Sequence, residues 1–98
     1  MIASSLLGLA RCQVGAGDAA AAEANARKAL AIYGDSADPG VLSDAWFTLA
    51  RALLGNGGSR ADVVALVDKA EAALVADLPA MQRPLGQLRD WKTDNLPD

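Results

Sequence analysis

The chain has 98 residues, a formal net charge of −3 and 52% hydrophobic residues, a share carried by 22 alanines and 14 leucines against 4% aromatics. That length bounds a small core, and the mixed, mildly acidic charge excludes the basic stripe that binding nucleic-acid phosphates requires. With no histidine present, His-based metal sites, Ser-His-Asp triads and Cys-His nucleophiles are excluded together.

The alanine and leucine content favours helix, because these side chains lose little entropy there. Residues 2–15 form the first predicted helix, with Ile2, Leu6, Leu9, Ala10 and Gln13 along one face and Cys12 expected as a small core residue on the packed side. Gly15 to Asp18 breaks it, with Asp18 placed to cap a second helix over 19–33 whose stripe is Ala22, Ala26, Ala29 and Tyr33. Gly34 to Asp38 is a longer connection, and Asp38-Pro39 starts a third helix with the core stripe Leu42, Trp46, Leu49 and Leu53. Gly55 to Gly58 ends that helix, and Ser59 with Asp62 resembles a capping box for a fourth over 60–77. Leu78-Pro79 stops the fourth. A fifth is expected at 80–94 on Leu85, Leu88 and Trp91, with Pro84 splitting it in two or blurring its start. Asn95 to Asp98 is a polar tail. The fold class is therefore all-α.

Two phrases recur. Leu6, Leu9 and Ala10 return forty residues later as Trp46, Leu49 and Ala50. Ala22, Ala26, Ala29 and Tyr33 return forty-one residues later as Val63, Val67, Ala70 and Leu74, the extra residue falling in the turn at 55–59. A period of this size signals stacked helical units.

The residues Trp46-Phe47-Thr48-Leu49-Ala50, the glycine-bearing turns, and Gly17-Asp18 followed by Ala22 and Arg27-Lys28-Ala29-Leu30-Ala31-Ile32-Tyr33 resemble the tetratricopeptide repeat. The spacing near forty, against about thirty-four for the common form, resembles the long kinesin-light-chain variety. The resemblance implies an α-α superhelix forming a single domain over 1–98: one helix hairpin at 2–33, a second at 39–77 and a capping helix at 80–94. It also implies the C-terminal part of a larger bacterial protein, as in signalling kinases of the serine/threonine class. The apolar stretch that begins at Ile2 without a leader suggests the same, a chain trimmed from a longer one.

In that family the first helix of each unit lines a concave groove that takes partner peptides. Carried onto this sequence, the groove would be lined by Ser4, Leu7, Gly8, Arg11 and Val14, then by Asp44, Phe47, Thr48, Arg51 and Leu54. Arg11 and Arg51 occupy equivalent slots. They either grip a partner's acidic side chain or C-terminal carboxylate, with Phe47 as an apolar pocket between them, or they are simply solvated or pair within the chain with Asp44 or Asp90. The expected role is protein or peptide binding as a scaffold, with no enzymatic activity and no cofactor. The alternative is homo-oligomerisation through the N-terminal helix face, or by a swap across the 34–40 loop, or an intramolecular regulatory role in a signalling protein.

Other motifs are structural in expectation. The glycine turn before Arg60 lacks the lysine and strand of a nucleotide loop, and Asp35 with Asp38 offers too few ligands for calcium. Trp46 is expected in the core, while Trp91 is either core or interface. No run approaches the roughly twenty apolar residues of a membrane span, Arg11 follows rather than precedes the apolar stretch as a secretory signal would need, and a lone Cys12 suits a reducing compartment. The expected location is the cytoplasm.

Overall fold

The computed structural model describes residues 3–34, 39–76 and 82–95, and every regular element among them is an α-helix. The helices are α1 (Ala3–Gly15), α2 (Ala19–Tyr33), α3 (Pro39–Gly55), α4 (Arg60–Ala76) and α5 (Gln82–Asn95). The chain is all-α. Ile2, the loop residues Asp35 to Asp38, Leu78-Pro79 and the tail beyond Asn95 lie outside the described residues.

The helix ends follow from the turn glycines. Gly17 and Gly57 take positive φ, at 84° and 76°, a region that costs any residue with a Cβ. Around them the same pair of bonds closes each helix. The N–H of Asp18 donates to the Gln13 carbonyl at 2.8 Å and that of Gly17 to Val14 at 3.2 Å. Forty residues later, Gly58 donates to Leu53 at 2.7 Å and Gly57 to Leu54 at 3.5 Å. This six-to-one plus five-to-two pattern satisfies carbonyls that a helix end otherwise leaves orphaned.

The same geometry explains the drift between the two phrases. In the first turn Asp18 both closes α1 and opens α2, its carbonyl accepting from the Ala22 N–H at 3.1 Å. In the second turn Gly58 closes α3 and Ser59 opens α4, its carbonyl accepting from Val63 at 3.1 Å. One residue did two jobs; now two residues share them. Asp18 does not cap through its carboxylate, because its ψ of 66° is not the extended backbone that aims a side chain at the helix N-terminus.

Pro84 falls in the first turn of α5, where its missing N–H would have had no partner, so α5 is one continuous helix rather than two pieces.

Contacts run between neighbours in chain order, α1 on α2, α2 on α3, α3 on α4 and α4 on α5, with α1 also touching α3. Ala22, Ala26 and Ala29 of α2 are completely buried. Residues this small let α2 approach its neighbours closely, which is how a chain with few large side chains still excludes water. The main cluster joins Ala10, Ala22 and Ala26 to Leu49, Leu53, Val63, Val67 and Leu74, and reaches α5 through Leu85 and Leu88. A second cluster joins Leu6, Leu7, Ala29 and Ala45. The buried Ser43 hydroxyl donates to the Ala70 carbonyl at 3.0 Å, tying α3 to α4.

Two expectations about α1 fail. Leu9 is 41% exposed and Cys12 is exposed, while the buried stripe is Leu6, Leu7 and Ala10. Neighbours cover α1 on one side only. Cys12 lies two residues past Ala10, about 200° around the helix, and so points away from them.

Candidate functional site

The residues expected to line a groove divide into three groups. Leu7 is only 4% exposed and packs with Leu6, Ala29 and Ala45, so it belongs to the core and not to a binding surface. Thr48, at 1% exposure, is buried on the arc of α3 between Ala45 and Ala52, both fully covered. Its hydroxyl has no hydrogen-bond partner, which marks it as a packing position and not a ligand contact. Val14 is half-buried against the main cluster. The side chain of Ser4 is outside the described set.

Arg11, Asp44, Phe47, Arg51 and Leu54 remain partly or fully accessible. Asp44, Phe47 and Arg51, at i, i+3 and i+7 on α3, share one helix face. Arg11 of α1 donates through Nη1 to Asp44 Oδ2 at 2.7 Å. One of the two arginines is therefore paired inside the molecule, as the second of the alternatives for these residues had it. Arg51 behaves differently. Its guanidinium carbon lies 5.7 Å from the Phe47 ring centroid, over the ring, and among the described residues no carboxylate pairs with it. Leu54 is exposed one turn from Arg51.

Trp91 of α5 was not among the expected site residues, yet it completes this surface. Its ring meets Phe47 edge-on, with centroids 5.2 Å apart and planes at 82°. That arrangement places the positive edge of one ring against the negative face of the other. Phe47 thus meets both Arg51 and Trp91, and the pocket expected between the two arginines is instead an aromatic pair with one guanidinium against it. The sequence offered one signal, an aromatic at the exposed end of a short helix, but nothing in the spacing says which side of α3 that helix meets.

No group of three or more metal-ligating side chains gathers among the described residues, and no helix there is long and apolar enough to cross a membrane. No protein-family model, no curated protein and no solved structure matches the chain.

Proposed function

We propose that the chain is a protein–protein interaction module of tetratricopeptide-like superhelical design, one domain that holds a partner's peptide on the face shared by α1, α3 and α5. The observation that carries this reading is Arg51: a guanidinium lying over the Phe47 ring, with no carboxylate of its own among the described residues. An arginine packed on a ring keeps its edge N–H groups for a bidentate acceptor. The ligand is accordingly a peptide with an acidic side chain or a C-terminal carboxylate, its apolar neighbours meeting Phe47 and Leu54. Arg11, neutralised by Asp44, orients α1 on α3 instead of contacting the ligand. A binding role suits a chain without histidine, and an exposed lone thiol suits the reducing cytoplasm.

The test is fluorescence anisotropy with labelled acidic peptides carrying a free C-terminal carboxylate, against amidated counterparts. Arg51→Ala removes a charge-assisted contact and weakens binding by about tenfold or more, while Arg11→Ala shifts it by less than about threefold. Unchanged binding by a fully helical Arg51→Ala protein refutes the reading.

A second reading is a homo-oligomerisation or intramolecular element of a larger signalling protein, such as a bacterial serine/threonine kinase. It draws on Leu9 and Ile32, both exposed on the first two helices. A mass that rises with concentration in light scattering would favour it over peptide capture.

A further inference from the structure

Helix α5 runs beside α3 in the same direction. The Ser43 hydroxyl meets the Ala70 carbonyl, Lys69 lies over the Trp46 ring, and Asp62 shares a groove with Leu53, so α4 runs opposite to α3. Lys92 of α5 pairs with Asp68 and Arg89 with Glu71, so α5 runs opposite to α4. Two reversals make α5 parallel to α3. The contact of Phe47 with Trp91, ring centroids 5.2 Å apart, sets their register. One helical turn beyond Phe47 is Arg51, and one turn beyond Trp91 is Asn95, the last residue of α5. The end of α5 therefore lies level with the guanidinium on which the binding face depends.

The sequence at that point has the chemistry of a ligand. Asp94 to Asp98 carries two carboxylates, a leucine and no cation. Pro97 is incompatible with a helix interior. Residues 96–98 lie outside the described residues. Three residues span at most about 10–11 Å, and packed helix axes lie about 8–10 Å apart. The side-chain carboxylate of Asp98 is thus within reach of Arg51, and Leu96 within reach of Leu54, which is exposed one turn past Arg51. Among the described residues no carboxylate already holds Arg51.

We infer, resting on the reading of Arg51 as a carboxylate seat, that Leu96 and Asp98 occupy this face as an internal stand-in for the partner peptide. The contact is autoinhibitory, and an incoming peptide has to displace it. An exposed carboxylate–guanidinium pair is weak by itself. A tether this short, however, holds the carboxylate at an effective concentration on the order of millimolar. The face is then closed in a large share of the molecules, and the apparent affinity for the peptide falls in proportion to the open fraction. A segment that must give way to a partner has to bind no more tightly than this.

Asp98→Asn tests this, at a position beyond the last described helix. The first readout needs no peptide. Exchange of the Arg51 Nε–H with water, followed by NMR at low ionic strength, should be about threefold faster in Asp98→Asn than in the parent chain. The second readout is fluorescence anisotropy with the labelled acidic peptide, which Asp98→Asn should bind about threefold more tightly, with Leu96→Ser acting in the same direction. Equal Nε–H exchange in the two proteins overturns the inference and leaves the peptide reading standing. Faster exchange with unchanged peptide affinity also overturns it, because the segment would then not compete with the ligand. An exchange difference without peptide binding by either protein supports the contact and refutes the peptide reading instead.

Discussion

Leu88→Ala should release α5 while α1 to α4 remain folded. Leu88 is 1% exposed and is the largest of the fully buried side chains among the described residues. Truncating a buried leucine to alanine costs about 2–5 kcal/mol in lost transfer and residual cavity. The remaining attachments of α5 do not replace that. Trp91 contributes an edge-on contact with Phe47, of the kind that adds about 0.5–1.5 kcal/mol beyond area burial. Arg89 pairs with Glu71 at 2.8 Å and Lys92 with Asp68 at 3.2 Å, all on accessible side chains. Such pairs contribute about 0.2–1 kcal/mol each and are screened by salt. Leu85 is the other buried anchor. At 14 residues α5 is too short to persist undocked, since isolated helices under about 12–15 residues are marginal in water. Hydrogen exchange read by mass spectrometry is the assay. Amides of 85–95 should lose protection by about thirtyfold or more, the equivalent of about 2 kcal/mol, and those of α2 and α3 by much less. Equal loss across all helices would refute the reasoning, because α5 would then be part of one cooperative unit. Retained protection in α5 would refute it from the other side.

Thr48→Val should stabilise the protein by about 1 kcal/mol in urea denaturation, since it removes a buried hydroxyl with no partner and keeps the shape; destabilisation would mean that the hydroxyl is satisfied after all. Gly57→Ala should cost about 1–2 kcal/mol in the same assay, because φ at 76° forces the new Cβ against its own backbone in a site that is otherwise open. A change below about 0.5 kcal/mol would show that the turn relaxes to another closure.

The fold was legible where local chemistry decides. Helix limits expected at 19–33 and at 39, 55 and 60 agree with the structure, because Gly and Pro act on the backbone within a residue or two of themselves. The buried stripe of α2 was legible for the same reason, a period of about 3.6 residues. The stripe of α1 was not. Leu6 and Ala10 were placed correctly, but Leu9 and Cys12 were assigned to a buried side that has no neighbour. The candidate site was legible in part: Asp44, Phe47, Arg51 and Leu54 share an accessible region, whereas Leu7 and Thr48 went into the core. Helical periodicity names a face, but whether that face is covered depends on residues far along the chain.

The doubled phrase is the clearest measure of that division. By itself the sequence determined that the chain is helical, where the second and third helices begin and end, where the first ends and the fourth begins, and that the spacing drifts by one residue at the second turn. Each of these rests on dihedral preference and on hydrogen bonds that close within six residues. Only the tertiary structure decided that equivalent positions have opposite fates, with Leu49 sealed and Leu9 bare, or Ala52 buried and Cys12 exposed. It also decided that Arg11 is paired with Asp44 while Arg51 lies over Phe47. The physical reason is that burial and ion pairing belong to pairs of elements. A repeated sequence repeats its own contribution to a contact, and the other half comes from whichever helix lies across from it.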